Sequence, residues 1–252
     1  MDGPMPDSNR LRSAIKAADT WWATVFSGPA ANRLIGLVAD FDMVTPNRIT
    51  GIALVVGVIN GALFAVGRYP WTVAAGLLVQ VGFILDCADG QLSRLRRTNS
   101  LYGYYIDKVV DRLKLSAALL GIAWGIERAA GEIVGWQLAI VYVICHLVSD
   151  SYREAYRSLE AKVNDPPGTE SPVPAWLRPL SLLDAPFVRF AFGDLYFLMT
   201  LAAVSDELLP FLWFESVVGG LQLFFRPVYM VFHFRRANGL YPWEVKAAGP
   251  LR

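Results

Sequence analysis

Asp86-Cys87-Ala88-Asp89-Gly90-Gln91-Leu92-Ser93-Arg94 is followed, after a short basic loop, by Gly103-Tyr104-Tyr105-Ile106-Asp107-Lys108-Val109-Val110-Asp111, and the two runs join strongly apolar segments of the chain. On helices, Asp86 and Asp89 stand at i,i+3 and Asp107 and Asp111 at i,i+4, so each pair shares one face. Carboxylates in or beside a membrane span are costly to keep there, and their presence points to function. Two facing pairs make an oxygen-rich box suited to one or two hard divalent cations.

The rest of the chain supplies the membrane. Its 252 residues are 54% hydrophobic and only 18% charged, with a mean hydropathy of +0.38. A soluble domain usually carries about a quarter charged residues, so this balance indicates a polytopic membrane protein. Six stretches are long and apolar enough for the roughly 20 helical residues that a bilayer crossing takes: 47–67, 71–92, 103–126, 133–156, 187–204 and 211–234. Asp194 interrupts the fifth near one end. Arg68-Tyr69-Pro70 marks a tight reversal, and Asp206-Glu207 with Pro210 separates the last two spans. The expected fold is all-α, an integral membrane bundle of six transmembrane helices.

Basic residues orient that bundle. Arg94, Arg96 and Arg97, then Arg153, Arg157, Lys162, Arg178 and Arg189, and finally Arg235 and Arg236 fall on one side, while Glu127, Glu132, Asp206, Glu207 and Glu215 gather on the other. Both termini and the four aspartates are therefore expected to face the cytoplasm. Residues 1–44 are expected to form a cytoplasmic or interfacial N-terminal region, and residues 1 to about 32 are not expected to be a secretory signal. Arg10, Arg12 and Lys16 ahead of Trp21, Trp22 and Phe26 read as an amphipathic helix lying in the membrane interface. Residues 45–236 form the expected membrane domain, with a proline-rich polar loop over 158–186, and 237–252 a cytoplasmic tail. Cys87 and Cys145 lie in apolar segments, which suits buried structural thiols rather than a disulfide framework. A net charge of +1 gives no reason to expect a nucleic-acid partner.

The aspartate run resembles the signature of the CDP-alcohol phosphotransferase family. Two aspartates three apart, a glycine, a small residue with arginine, then a glycine and two aspartates at four-residue steps correspond here to Asp86, Asp89, Gly90, Ser93-Arg94, Gly103, Asp107 and Asp111. Ser93 departs from the alanine usual in the family. Thr45-Pro46-Asn47-Arg48-Ile49-Thr50 is similar to the opening of the family's first span, and the resemblance covers about residues 44–236.

Several roles follow from that resemblance. The family moves an alcohol-bearing phosphoryl group from a CDP-alcohol to a second hydroxyl and releases CMP, using magnesium or manganese, with two ions expected. It implies Asp86, Asp89 and Asp107 as metal ligands, and Asp111 as a ligand that also takes the proton of the attacking hydroxyl. Gly90 and Gly103 would admit the nucleotide to the helix backbones, close helix packing being the competing reading. Arg94 would clamp a donor phosphate, leaving Arg96 and Arg97 to topology and lipid headgroups. Asn47 and Thr50 would contact the cytidine, unless a helix cap by Thr45 or Asn47 explains that stretch. A homodimer is implied as well.

Some polar residues lie outside the signature. Lys114 continues the carboxylate face one turn beyond Asp111, where a lysine pairs with a carboxylate or meets substrate. His146, Asp150, Arg153 and Arg157 form a polar stripe, with His146 read as a satisfied bundle contact, and Arg226 lies near the middle of the last span. Lys114, Arg153 and Arg226 together are candidates for binding an acidic acceptor such as a sugar-alcohol phosphate. Gly57 and Gly61, and Gly121 and Gly125, have the small-xxx-small spacing of close helix contacts.

The reading is therefore a phospholipid-synthesising transferase with a CDP-diacylglycerol donor and a polar acceptor. A CDP-polyol such as CDP-inositol with a soluble phosphate acceptor is the alternative donor. An intramembrane prenyltransferase would need a second aspartate-rich motif, which this chain lacks. A cation carrier or channel would not need Arg94, Gly90 and Gly103 at their spacing.

Overall fold

The computed structural model describes residues 11, 14–15, 20–160 and 192–238, and all regular structure among them is helical. A π-helical turn, Ala23–Ser27, runs into α1 (Gly28–Val38). Then come α2 (Pro46–Phe64), α3 (Tyr69–Arg96), α4 (Leu101–Ala130), α5 (Val134–Glu160), α6 (Phe192–Ser205) and α7 (Leu208–Asn238). The contacts divide the chain into two compact units, Met1–Ile140 with Phe190–Phe214, and Val141–Arg189 with Glu215–Arg252. The four aspartates all belong to the first.

Local chemistry sets the helix ends. Thr45 caps α2, its side chain accepting from the Arg48 amide, and Pro46 supplies a preset φ in the first turn. Ser100 caps α4 by accepting from the Gly103 amide at 3.0 Å. Gly67, at φ +70°, ends the turn after α2, and Gly131, at φ +73°, ends α4 in the left-handed conformation favoured by glycine.

Four helical stretches are long and apolar enough to cross a membrane: Pro46–Phe64, Tyr69–Arg96, Val134–Tyr152 and Leu208–Phe225. This marks a multi-pass membrane protein. Two of the six expected spans are not among them. The first turns of α4 carry Asp107, Lys108, Asp111, Arg112 and Lys114, which break its apolar window, and α6 is described over only 14 residues. Asp194, the interrupting acid, sits in the first turn of α6, where a helix dipole favours negative charge.

In the first unit α3 is central. It packs on α2 along one side and on α6 along another, where Thr200 Oγ1 donates to the Gly76 carbonyl at 2.8 Å and Gln80 Nε2 to Tyr196 O at 2.9 Å. Helices α2 and α4 meet backbone to backbone. A side chain on Gly121 would run into the carbonyl of Gly61, one on Gly61 into that of Ala117, and one on Gly125 into that of Phe64. The small-xxx-small spacing thus brings two helices close, as expected of membrane glycines. The opposite face of α2 presents Ile52, Val55 and Ile59 outward, as a helix facing lipid must.

Trp21 and Trp22, expected to lie flat in the interface, pack inward on Phe197 of α6, with ring centroids 5.3 and 4.5 Å away. Trp22 Nε1 donates to Gln80 Oε1 at 2.7 Å, so these rings help to seat the N-terminal helix on the bundle. Residues 158–160, expected to open the polar loop, belong to α5, and Arg10, Arg12, Lys16, the rest of that loop and most of the tail lie outside the described residues.

In the second unit, Tyr142, His146 and Ser149 form a buried line along α5, the Tyr142 and His146 rings 6.0 Å apart. Cys145 is buried and Cys87 half-buried, and neither is in a disulfide.

Gly121→Val should cost about 2–3 kcal/mol by forcing α2 and α4 apart. Gly51→Ala, at a position with nothing within 4 Å of an added Cβ, should leave stability unchanged or raise it. Thermal unfolding of the two variants in detergent checks the contrast.

Candidate active site

The cytoplasm-expected ends of α2, α3 and α4 enclose a cavity of about 730 Å³. Asp86, Asp89, Asp107 and Asp111 all line it. So do Asn47, Thr50, Gly90, Arg94 and Gly103, the residues expected to hold the nucleotide. Beside the cavity, Ala31, Ile35, Ile49, Ala88 and Leu92 lock α1, α2 and α3 together in a buried cluster that fixes the α3 backbone on either side of Asp89.

Each carboxylate has a distinct partner. Asp89 is buried and accepts a 2.5 Å hydrogen bond from Thr50 Oγ1. Asp86 accepts from the Lys114 ammonium, and the same Nζ lies 3.2 Å from Asp111 Oδ1. Lys108 Nζ lies 3.5 Å from Asp107 Oδ2 and 3.7 Å from Asp111 Oδ2, over the ring of Tyr104. Both lysines therefore reach Asp111, Lys114 from the buried side and Lys108 from the more exposed one. Lys108 was legible as a partner, since it stands three residues before Asp111, but the signature does not include it.

The donor set suits a divalent cation. It is all oxygen, it is acidic, and an ammonium already rests between Asp86 and Asp111, where positive charge is accommodated. Among the described residues, however, no three acidic, histidine or cysteine side chains converge as ligands of one ion. Asp86, Asp89, Asp107 and Asp111 share a cavity with lysines inserted among them, instead of forming the closed box that spacing alone suggested.

The remaining residues either line the cavity or hold the helices around it. Arg94 Nε donates to the Ala14 carbonyl at 2.7 Å, and its terminal nitrogens lie over Gly90, Nη1 3.3 Å from where a Cβ would stand. The fork is thus held from behind, beside the cavity it lines. Gly103 provides the capped amide of α4, and a Cβ there would meet Ser100 Oγ at 3.2 Å. Ser93, the departure from alanine, donates to Asn99 Oδ1 at 2.5 Å and ties the end of α3 to the following loop. Arg96 serves the fold: its guanidinium donates to the carbonyls of Ala39, Phe41 and Val44 and braces the approach to α2. Gln91 was not singled out by sequence. It donates to the Gly28 carbonyl and accepts from Asn32, pinning α1 against α3. Of the acceptor candidates, Lys114 is committed to Asp86 and Asp111, and the side chains of Arg153 and Arg226 lie outside the described residues.

The family model described as CDP-alcohol phosphatidyltransferase matches residues 43–219. The chain belongs to that family. Among curated members, it is 28% identical over 120 residues to an archaetidylinositol phosphate synthase of Pyrococcus horikoshii, a match covering 48% of this chain and 56% of that one. It is 38% identical over 71 residues to a bifunctional IPC transferase and DIPP synthase of Thermococcus kodakarensis, covering 28% of this chain and 16% of the relative. The chain thus spans little more than half of the first relative and a small part of the second. The fold is similar to the crystal structure of Mycobacterium tuberculosis phosphatidylinositol phosphate synthase with CDP-DAG bound, at a TM-score of 0.50 and 19% identity, over 85% of this chain and 96% of that one.

Thr50→Val, which removes the donor to buried Asp89, should destabilise the family fold here by about 2 kcal/mol, and Thr50→Ser should recover most of that. Thermal unfolding compares the three proteins; equal stability of the Val and Ser variants would show that the hydroxyl bond contributes nothing.

Proposed function

We propose that this chain transfers a phosphoalcohol group from a CDP-alcohol, with CDP-diacylglycerol the favoured donor, to the hydroxyl of a polar acceptor, releasing CMP in phospholipid biosynthesis. The observation that carries this reading is the gathering of both aspartate pairs, Gly90, Gly103 and the Arg94 fork around one cavity in a member of this family. The relative named archaetidylinositol phosphate synthase and the fold neighbour holding CDP-DAG support a lipid donor. The relative named DIPP synthase carries no lipid in its name, and it keeps a CDP-polyol with a soluble phosphate acceptor as the second reading.

The residues divide the work. Asn47 and Thr50 at the start of α2 face the cytidine end of the cavity, and Gly90 and Gly103 leave the helix backbones open to it. The Arg94 fork holds a donor phosphate. Magnesium or manganese, held by Asp86, Asp89, Asp107 and Asp111, would supply positive charge against the pyrophosphate oxygens when bound. Asp111 takes the proton of the acceptor hydroxyl as its oxygen bonds to the donor phosphorus, and the bond from that phosphorus to CMP breaks with its electrons leaving on CMP. Arg153 and Arg226 are the candidates left for an acidic acceptor. We further infer six spans, α2 to α7, with both termini and the cavity cytoplasmic by the basic-residue bias, and a homodimer by family resemblance.

Purified protein in detergent should release CMP from CDP-diacylglycerol or CDP-inositol only when divalent metal and an acceptor are both present. Asp111→Asn should slow that release about 1,000-fold. CMP release that is indifferent to metal and to Asp111 would sink the proposal.

A further inference from the structure

Lys114 is a charged side chain in the wrong place for a metal site. It projects from α4 into the acidic cluster with only 6% of its surface exposed, and its ammonium joins Asp86 on α3 to Asp111 on its own helix. The placement is built rather than incidental. Gly57 of α2 lies against the stem of Lys114, and a Cβ on that glycine would collide with Lys114 Cγ and stand 2.9 Å from its Cβ. A glycine on one helix thus makes the slot through which a lysine on another reaches two carboxylates.

We propose that Lys114 is the built-in counter-cation of the acidic site, holding Asp86 and Asp111 together before a divalent ion enters and competing with that ion for their oxygens. The inference rests on the reading of these aspartates as metal ligands. Charge makes the case. Four carboxylates with Lys108 and Lys114 in contact leave two negative charges, which one divalent ion balances. Without Lys114, three negative charges would crowd a cluster in which Asp86, Asp89 and Asp111 are nearly buried, and both Asp86 and Asp111 would lose their buried partner. The cost falls on ion affinity: an incoming dication meets a like charge at the oxygens it needs, and the ammonium must give up at least one of them. Lys114 is accordingly a positioning residue, acting through the carboxylates it orders and not on the substrate.

The test titrates Mn²⁺ into the purified full chain in detergent, reading free Mn²⁺ by electron paramagnetic resonance, alongside thermal unfolding with and without the ion. Lys114→Met should bind Mn²⁺ about tenfold or more tightly than wild type, because a like charge has been removed from the site. Its metal-free form should unfold about 5 °C or more lower, and Mn²⁺ should raise its midpoint more than it raises that of wild type. A merely structural lysine would lower the midpoint without tightening the ion. Should Lys114→Met not fold, Gly57→Val keeps the same formal charges but crowds the lysine stem and pushes its ammonium off Asp86 and Asp111, and it should also tighten Mn²⁺. A folded variant that binds Mn²⁺ no more tightly than wild type overturns the role given to Lys114. Wild type that binds no Mn²⁺ removes the metal-site reading beneath it, a separate and distinguishable failure.

Discussion

Acidic side chains at the ends of apolar helices are held there by the close crossing of α2 and α4. Gly61 and Gly121 bring the two backbones into direct contact, and that approach sets everything nearby. It lets Lys114 of α4 pass Gly57 to reach Asp86, while the direct packing of α2 on α3 brings Thr50 to Asp89. Larger side chains at the crossing would separate the helices whose ends form the cavity. The glycines are therefore part of the site's construction although none of them touches a carboxylate.

Around that crossing, the N-terminal segment acts as a brace. Gln91 and Asn32 join α1 to α3, the Ala14 carbonyl holds Arg94 from behind, and Arg96 gathers three carbonyls ahead of α2. In the role proposed for Arg94 at a donor phosphate, ordering the side chain costs rotamer freedom, and the fixed Nε bond to Ala14 meets part of that cost before any ligand arrives. The same logic applies to Asp89, whose orientation is set by a hydroxyl from another helix. Membership of the CDP-alcohol phosphatidyltransferase family gives these contacts a chemical context, and the pairing of Lys114 with two of the four aspartates is a feature of this chain's own geometry.

Sequence alone determined the helical class, the apolar stretches and the helix start at Thr45-Pro46, and fixed short spacing singled out the four aspartates with Gly90, Arg94 and Gly103 as candidates, whereas the Ser100 cap of α4 emerged from the structure. Local sequence also foreshadowed Lys108, an i,i+3 neighbour of Asp111. What only the tertiary structure decided were pairings between distant segments: Thr50 with Asp89, Lys114 with Asp86, Gly57 with the lysine stem, Arg94 with Ala14, and Trp22 with Gln80 and Phe197. No spacing rule predicts which faces of separate helices meet. An arginine or tryptophan also reads the same in sequence whether it meets lipid or a backbone carbonyl. Tertiary packing settles such choices, since a buried polar group goes wherever a partner lies within reach.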